Sequence, residues 1–257
     1  MLSKVISVYN YLLDQSGRKG AAYIVLIDPD KFSPAKAPEF LEHSIQAGVD
    51  AFLIGGSLLM SGNLEETLKI VKTHTDIPAI LFPGSLNQLS PIADALLYLS
   101  LISGRNAEHL IGKQVIAAPL IRQMKIEPIS TGYMLIESSV RTTAEYISGS
   151  QPIPRHKPEI AVATALAAQY LGMKFVYLEA GSGAKEHIPF EMVQAVSQVC
   201  TIPIIAGGGI RSAETAAKMA ISGAKIIVTG NFFESSKNWT LLSEFADAIH
   251  FKSSKIT

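Results

Sequence analysis

Residues 203–231 read PIIAGGGIRSAETAAKMAISGAKIIVTGN, and this stretch decides the fold class. Two nearly continuous apolar runs, Pro203–Ala206 and Lys225–Val228, flank a helical pattern at Ala213–Ser222. Such apolar runs are typical of strands buried on both faces, as in a parallel sheet covered by helices. The stretch therefore predicts a strand–helix–strand unit of a parallel α/β fold.

The same alternation continues over the rest of the chain. Further strands are predicted at Tyr23–Ile27, Ala51–Ile54, Ala79–Phe82, Ala95–Leu99, Tyr133–Ile136 and Phe175–Leu178. Further helices are predicted at Pro38–Ala47, Leu64–Lys72, Ala107–Ile121, Ile160–Leu171 and Phe190–Val199. Eight strands with interleaved helices in 257 residues favour one TIM (β/α)₈ barrel domain over residues 1–257, with a doubly wound sheet as the alternative.

The interval between the third and fourth predicted strands breaks this alternation. Residues 83–91 read PGSLNQLSP, which is too short and too rich in turn residues for a full packing helix. We therefore expect the third helix of the barrel to be reduced or absent, which leaves an apolar groove in the outer wall. An amphipathic helix is expected at Met1–Asp14, and a long irregular connection at Ser148–Pro158.

Composition excludes several classes of partner and cofactor. The chain has 22 Lys and Arg, 22 Asp and Glu, and a single cysteine, Cys200. Zero net charge gives no reason to expect nucleic acid as a partner, and one cysteine excludes both an internal disulfide and a cysteine-based zinc site. The longest uncharged stretch, Met192–Ile210, contains polar residues, a proline and three glycines, so no transmembrane segment is expected. With no signal-peptide pattern at the N-terminus, we expect a cytoplasmic protein.

Glycine-bearing loops follow the last two predicted strands. Gly207-Gly208-Gly209 ends the seventh strand, and Thr229-Gly230-Asn231 follows the eighth. In many (β/α)₈ barrels these two loops and a helix N-terminus bind a phosphate group through backbone N–H groups. The sequence therefore predicts a phosphate site on this side of the barrel mouth.

Polar side chains follow three other predicted strands. Asp28 and Asp30 come after the first strand, where paired carboxylates can hold Mg²⁺ or form an ordinary turn. Ser57 follows two glycines after the second strand, and its hydroxyl is placed to reach a metal or phosphate or to cap a helix. Glu179 ends the sixth strand, as expected of a general base or of a carboxylate paired with a cation.

These motifs occur together and in order. They are Leu26-Ile27-Asp28-Pro29-Asp30-Lys31, Gly55-Gly56-Ser57, Tyr177-Leu178-Glu179-Ala180-Gly181-Ser182-Gly183, Gly207-Gly208-Gly209-Ile210 and Thr229-Gly230-Asn231. Over essentially the whole chain the set resembles the geranylgeranylglyceryl phosphate synthase family, which includes the bacterial heptaprenylglyceryl phosphate synthases. The segment from Tyr177 to Gly183 is the most specific motif, because many phosphate-binding barrels share the last two.

The resemblance implies a modified TIM barrel without a normal third helix, and a prenyltransferase reaction. The 3-hydroxyl of sn-glycerol 1-phosphate attacks C1 of a long-chain prenyl diphosphate, an ether bond forms and diphosphate leaves. In the family pattern, Asp28 and Ser57 correspond to the Mg²⁺ site. The glycerol-phosphate site corresponds to Tyr177, Leu178, Glu179, Ala180, Gly181, Ser182, Gly183, Gly208, Gly209, Gly230 and Asn231.

Further expectations follow from the resemblance. Leu26 stands where some bacterial members carry a lysine, so the chain is more similar to the archaeal-type branch, whose usual product is a C20 ether. Glu179 is the candidate base that accepts or orients the hydroxyl proton. We expect the prenyl tail to lie in the groove beside the thinned third helix position, near Leu97, Tyr98, Leu99 and Leu101.

Assembly and alternative functions remain open at this point. Family members are dimers or hexamers, so a homo-oligomer is implied, and Tyr146 is a candidate contact unless it packs within its own loop. One alternative function is another phosphate-binding barrel enzyme of the sugar-phosphate isomerase type, which needs neither a metal nor a long apolar groove. The other is a non-catalytic barrel that binds a phosphorylated metabolite and needs neither Asp28 nor Glu179.

Overall fold

The computed structural model describes residues 7–60 and 63–251. Its strands are β1 (Ala22–Ile27), β2 (Ala51–Ile54), β3 (Ala79–Leu81), β4 (Ala95–Leu101), β5 (Glu127–Leu135), β6 (Phe175–Glu179), β7 (Ile204–Gly207) and β8 (Ile226–Thr229). They form a closed parallel barrel in chain order, and β8 returns to pair with β1. The predicted (β/α)₈ barrel is therefore confirmed, and the doubly wound sheet is excluded because such a sheet has open edges.

Helices cover the barrel between most consecutive strands. They are α1 (Val8–Lys19), α2 (Ala37–Ala47), α3 (Leu64–His74), α4 (Lys113–Met124), α5 (Thr143–Ser148), α6 (Pro158–Tyr170), α7 (Phe190–Val199), α8 (Ala213–Ile221) and α9 (Leu242–Ile249). A π-helical turn at Glu108–Gly112 leads into α4. The connection from β5 to β6 carries both α5 and α6.

The helix that follows β3 in a regular (β/α)₈ barrel is absent, as the sequence predicts; it is not α3, which precedes β3. After β3 the chain makes only a short 3₁₀ turn, Leu86–Gln88, before it enters β4. The buried Gln88 side chain of this turn makes three hydrogen bonds to neighbouring loops. Its Nε2 donates to the carbonyl oxygen of Gly56 at 2.8 Å, and its Oε1 accepts from the Gly56 and Gly84 N–H groups at 3.3 Å. One carboxamide thus ties the loop after β2 to the connection after β3.

The hydrophobic core has two layers, one inside the barrel and one between the barrel and its helices. The inner layer includes Ile24, Leu53, Leu97, Phe175 and Ile205. Val8 and Leu12 of α1 belong to this inner layer, so α1 closes the amino-terminal end of the barrel. Because this end is closed, a ligand has access to the barrel interior only from the opposite mouth.

A buried carboxylate joins the first and last helices at the closed end. Asp50 accepts hydrogen bonds from Lys19 Nζ at 2.5 Å, the Tyr23 N–H at 2.8 Å and His250 Nε2 at 2.9 Å. Burial alone raises the pKa of Asp50, but these donors outweigh burial and hold the pKa below its usual value. The carboxylate therefore stays charged and ties the end of α1 and the residue after α9 to β1 and β2.

The structure corrects two boundaries. β5 begins at Glu127, six residues before the predicted start at Tyr133. Its first half contains Glu127 and Pro128, which break the apolar run, yet Glu127 has a structural role: its Oε2 accepts from the Val8 N–H at 2.6 Å at the start of α1. The amino-terminal helix runs to Lys19 rather than Asp14, and the predicted residues 1–6 lie outside the described part of the chain.

The short helix α5 is not among the predicted elements. Thr142 caps it, since its Oγ1 accepts from the Glu145 N–H at 3.4 Å and donates to Glu145 Oε1 at 3.1 Å. Gly149 ends the helix in the left-handed conformation. A threonine followed three residues later by glutamate is the capping-box pattern, so the sequence did contain the signal for this helix.

Candidate active site

Three aromatic rings form the floor of the open mouth. The rings of Phe82, Tyr133 and Tyr177 contact one another, with centroid separations of 5.7 Å (Phe82–Tyr133), 5.5 Å (Phe82–Tyr177) and 5.4 Å (Tyr133–Tyr177). Phe82 and Tyr133 also line an apolar groove on one side, whereas Tyr177 lies beside the Glu179 carboxylate on the other. The floor therefore separates an apolar half of the mouth from a polar half.

Glu179 is a buried carboxylate at the end of β6. Its side chain is buried at the mouth of the barrel, and Oε1 accepts from the Gly181 N–H at 2.7 Å. Burial raises the pKa of Glu179 to about 6, although the adjacent Tyr177 hydroxyl and the Gly181 N–H favour the charged form. A carboxylate with this pKa is deprotonated at neutral pH and is basic enough to accept a proton from an oriented hydroxyl.

The Tyr177 hydroxyl has hydrogen-bonding capacity left over beside Glu179. It is close enough to the Glu179 carboxylate to lower the pKa of that group, but among the described residues it makes no hydrogen bond of good geometry. A Cβ placed on Gly207 would lie 2.5 Å from this hydroxyl and 2.9 Å from Glu179 Oε2, so only glycine fits here. Buried polar groups are normally paired, so a hydroxyl left without a good hydrogen bond beside a carboxylate favours a polar ligand at this point.

Glycines bring the loop after β7 against the loop after β6. Gly208 has φ +83°, and a Cβ there would overlap Glu179 Oε1 and lie 2.8 Å from the Ala180 nitrogen. Gly209 has φ +69°, and its Cβ would lie 2.5 Å from the carbonyl oxygen of Glu186. Side chains cannot be accommodated at either position, so the two loops approach backbone to backbone. The N-terminus of α8, capped by Ser212, follows directly and adds a positive dipole end.

The loop after β8 joins the same group. Asn231 Oδ1 accepts from the Gly183 N–H at 3.0 Å and from Ser182 Oγ at 3.2 Å. A Cβ on Gly230 would lie 3.3 Å from the Leu26 side chain, which places the start of this loop beside β1. The structure thus brings the glycine and asparagine residues predicted for glycerol phosphate into one continuous set of loops.

Two of the predicted substrate-binding residues point elsewhere. The side chains of Leu178 and Ala180 are buried in the layer between the barrel and its helices, not in the mouth. This follows from the alternation of side chains along β6, because Tyr177 and Glu179 occupy the inner face. Only the backbone of Leu178 and Ala180 is available to a ligand in the mouth.

Asp28 and Ser57 lie on adjacent loops, after β1 and β2. Asp28 Oδ1 accepts from the Asp30 N–H at 3.1 Å, and a Cβ on Gly56 would lie 3.7 Å from this oxygen, so the Ser57 loop runs beside the carboxylate. A carboxylate and a hydroxyl form an all-oxygen donor set that suits Mg²⁺, which keeps several waters and accepts phosphate oxygens. Within the described residues no cluster of three or more His, Cys, Asp or Glu could hold a metal, so a cation here needs water or substrate ligands.

An apolar groove opens where the helix after β3 is missing. The predicted residues Leu97, Tyr98, Leu99 and Leu101 all line it. Sequence reasoning missed the opposite wall, which α4 and α5 supply through Gln114, Ala117, Ala144 and Ile147. The groove runs from Gly56 and Ser57, beside Asp28, past the aromatic floor to α4.

The fold and the site together define a class of protein. A closed (β/α)₈ barrel with glycine-rich loops after β6, β7 and β8, a buried carboxylate and an adjoining apolar groove is a TIM barrel suited to a ligand with a phosphate and a long apolar tail. The sequence model described as the PcrB family matches residues 15–249. The chain therefore belongs to the PcrB family.

Two proteins that are similar to this chain over most of its length share the same name. Geranylgeranylglyceryl phosphate synthase from Chitinophaga pinensis is 47% identical over 243 residues, covering 95% of this chain and 96% of the relative. The protein of the same name from Methanosphaera stadtmanae is 40% identical, covering 95% of this chain and all of the relative. Archaeal proteins are thus among these relatives, in agreement with the branch expected from Leu26.

A solved structure agrees closely with this one. (S)-3-O-geranylgeranylglyceryl phosphate synthase from Thermoplasma acidophilum, solved with its substrate sn-glycerol-1-phosphate, superimposes with a TM-score of 0.89 at 36% identity, covering 96% of this chain and all of that chain. Thiamine phosphate pyrophosphorylase from Pyrococcus furiosus, at 13% identity and a TM-score of 0.59, shares the barrel fold alone. Within the described residues, no helix is both long and apolar enough to cross a membrane.

Proposed function

We propose that this protein is a prenyltransferase that joins the 3-hydroxyl of sn-glycerol 1-phosphate to a long-chain prenyl diphosphate, with geranylgeranyl diphosphate as the expected donor. The observation that carries this proposal is that the buried Glu179 carboxylate and its glycine loops adjoin an apolar groove at the same barrel mouth. A sugar-phosphate isomerase needs the loops but not the groove. The names of the relatives and the bound substrate of the Thermoplasma acidophilum protein support the same reaction.

The chemistry follows from the two halves of the mouth. The loops bearing Gly208, Gly209 and Asn231, with the N-terminus of α8, hold the phosphate and set the glycerol 3-hydroxyl near Glu179. The hydroxyl oxygen forms a bond to C1 of the prenyl group, the bond from C1 to the diphosphate oxygen breaks, and the hydroxyl proton passes to Glu179. Because C1 is allylic, the step needs alignment of the two substrates more than a strong nucleophile.

The Tyr177 hydroxyl supports this arrangement. It lies beside the Glu179 carboxylate and favours its charged form, yet it makes no hydrogen bond of good geometry to a described residue. A glycerol oxygen bound between the two side chains supplies that hydrogen bond and is held at the carboxylate at the same time. Tyr177 then acts as a binding group that orients the nucleophile, and Glu179 as the base.

Mg²⁺ is the cofactor that we propose, and Asp28 and Ser57 are the residues that would hold it. When bound, it neutralises the negative charge that develops on the leaving diphosphate. The position of Asp28 supports this role, since the groove that receives the tail begins at Gly56 and Ser57, next to this carboxylate. The diphosphate is therefore bound at the mouth while the tail lies past Phe82 and Tyr98.

We further propose that the protein acts in the cytoplasm as a homo-oligomer, a dimer or a hexamer. Arg141, just before α5, lies over one face of the Tyr146 ring on this helix, 5.2 Å from its centroid, but the Tyr146 side chain is still 70% exposed, which leaves it available for a contact between copies. The π-helical turn adds Ile111, and the outer face of α4 adds Val115 and Ile116; all three side chains are more than half exposed. Apolar surface of this kind is typical of protein–protein interfaces.

A turnover assay tests the proposal. Purified protein is incubated with labelled sn-glycerol 1-phosphate, Mg²⁺ and, separately, C15, C20 and C35 prenyl diphosphates, with sn-glycerol 3-phosphate as the stereochemical control. We expect a Mg²⁺-dependent ether product from the 1-phosphate, formed fastest with the C20 tail. Binding of sn-glycerol 1-phosphate without product from any tail would instead favour a non-catalytic phosphate-binding barrel.

A further inference from the structure

A chain of polar side chains crosses the mouth from the loop after β8 to the loop after β1. It includes Lys31 and Glu234, which are not among the predicted site residues. Asn231 Nδ2 donates to Glu234 Oε1 at 2.6 Å. The same oxygen accepts from Lys31 Nζ at 2.9 Å, and Lys31 Nζ lies 3.2 Å from Asp28 Oδ2. Glu234 and Lys31 therefore connect the residue at the glycerol-phosphate loops to the carboxylate at the proposed Mg²⁺ position.

Local backbone geometry sets both ends of this chain. Asn231 and Glu234 begin and end a 3₁₀ helix, in which residues three apart lie one above the other. Asp28 and Lys31 are also three apart, in a turn closed by a hydrogen bond of 3.0 Å from the Lys31 N–H to the Asp28 carbonyl oxygen. Each pair of side chains is thus placed together by a single turn, and the Lys31–Glu234 ion pair joins the two turns.

The contact with Glu234 decides which way the Asn231 carboxamide faces. Because Nδ2 donates to the carboxylate, Oδ1 is turned toward the Gly183 N–H and Ser182 Oγ, both of which it accepts from. A reversed carboxamide would set its NH₂ group against the Gly183 N–H and its oxygen against the carboxylate. Glu234 thereby holds the loop after β6 in the conformation seen here.

We propose that Glu234 is a positioning residue for the glycerol-phosphate loops, and that Lys31 couples these loops to cation binding at Asp28. The proposal rests on the proposed function. Lys31 is shared between two carboxylates, and a cation at Asp28 competes with the ammonium group for Oδ2. Lys31 then pairs with Glu234 alone and fixes the position of the Glu234 carboxylate. The fixed carboxylate in turn holds the Asn231 carboxamide more firmly. Mg²⁺ therefore strengthens binding of sn-glycerol 1-phosphate.

Calorimetric titration with sn-glycerol 1-phosphate, with and without Mg²⁺, tests the role of Glu234. Glu234→Ala removes the acceptor for Asn231, and we expect its affinity to fall about tenfold, the size of one charge-assisted hydrogen bond. Glu234→Gln keeps an acceptor oxygen, and its affinity should stay within about threefold of wild type. In steady-state assays Glu234→Ala should raise KM for sn-glycerol 1-phosphate with little change in kcat. Glu65→Ala, which removes a carboxylate from the exposed Glu65–Lys69 pair on α3, is the matched control and should bind as wild type.

The Lys31→Met variant tests the coupling, since it should lose the increase in affinity that Mg²⁺ gives the wild type. Wild-type affinity in Glu234→Ala, or equal losses in the Ala and Gln variants, would overturn the positioning role. A Mg²⁺-dependent increase that survives in Lys31→Met would overturn the coupling. These results are distinct from a wild-type protein that neither binds sn-glycerol 1-phosphate nor forms product, which would overturn the proposed function together with this inference.

Discussion

The two halves of the barrel mouth are built by opposite means. The polar half, formed by the loops after β6, β7 and β8, has short connections whose glycines allow backbone contact, and it is held together by hydrogen bonds to Glu179 and Asn231. The apolar half is formed by β3, β4, β5, α4 and α5. It lacks a helix after β3, and the apolar groove occupies the place of that helix. Under the proposed function, the chemistry depends on a few fixed atoms of the polar half, and the length of the prenyl tail depends on the shape of the groove.

This contrast predicts that substitutions in the two halves have separable effects. Changes in the polar half should alter turnover or the binding of glycerol phosphate, because its residues act through single contacts of defined geometry. Changes in the apolar half should alter the choice of prenyl tail, because burial of apolar surface is non-directional and scales with area. The aromatic floor formed by Phe82, Tyr133 and Tyr177 is the boundary between them.

The largest effect is expected at Glu179. Glu179→Gln retains the shape of the side chain and an acceptor for the Gly181 N–H but cannot take a proton, so kcat should fall by about 100- to 10,000-fold. Calorimetry should show that affinity for sn-glycerol 1-phosphate is largely retained. Loss of that affinity with normal kcat at saturation would show that Glu179 binds the substrate and is not the base.

The pH profile of the wild type checks the same assignment. Because burial raises the pKa of Glu179 to about 6, kcat should be constant above this pH and decline below it as the carboxylate becomes protonated. The Gln variant should lack this acid limb over the same range. An identical limb in both proteins would assign the titration to a different group.

The next effect concerns Asp28. Asp28→Asn removes the charge that we propose to hold Mg²⁺, and the Mg²⁺ concentration for half-maximal activity should rise by on the order of 100-fold. Titration of activity with MgCl₂ at saturating substrates measures this shift. An unchanged titration would remove Asp28 from the metal site, whereas activity restored at high Mg²⁺ would support its role as a ligand.

Glu179 also lowers the stability of the fold. Its folded-state pKa of about 6 lies above the unfolded value near 4.5, so the stabilising effect of its bound proton is present at low pH and is lost as the pH rises through about 6. At neutral pH the buried charge costs about 2 kcal/mol. Urea unfolding should therefore find Glu179→Gln more stable than wild type above this pH, by an amount that shrinks toward about pH 4.5. Equal stability at all pH values would contradict the raised pKa.

In the apolar half, Ala144 on α5 offers a direct test of the groove. Ala144→Trp introduces a large ring into the lining, so kcat/KM for the C20 diphosphate should fall about tenfold relative to the C15 diphosphate. Ala163→Trp, on the exposed side of α6, is the matched control and should leave this ratio unchanged. A fall in affinity for sn-glycerol 1-phosphate in the Ala144 variant would show that the two halves are not separable.

The polar half was also the more predictable half from the sequence. Each of its residues follows a buried apolar strand directly, and in a parallel barrel the carboxyl ends of all strands share one mouth, so position in the chain gives position in the site. Glu179, Gly208 and Asn231 are found together for this reason. The outward direction of Leu178 follows from strand alternation, whereas resemblance to a motif carries no information about which side chains of the motif face the mouth.

The apolar half could be predicted only in part. The short interval at residues 83–91 predicted the missing helix, and β4 supplied the expected lining. The opposite wall depends on how α4 and α5 pack across the gap, and no local pattern encodes that distance. Glu234 and Lys31 could not be recognised either, because their contact joins residues 203 positions apart through side chains on two turns.

The smallest expected effect lies where the two halves meet. Thr142 caps α5 in the apolar half, and its side chain also lies against Gly181 of the polar half, where a Cβ would overlap it. Thr142→Ala removes the cap and should cost about 1 kcal/mol of unfolding free energy, measured by urea titration. Thr142→Ser, which keeps the capping hydroxyl, is the control.

The same Thr142→Ala substitution should also affect both substrates, because α5 borders the proposed tail groove and Gly181 belongs to the proposed glycerol-phosphate loops. We expect the preference for tail length and the KM for sn-glycerol 1-phosphate to change together, each by about threefold or less. A change in only one of them would show that Thr142 serves a single half, and that the separation of the two is complete even at their point of contact.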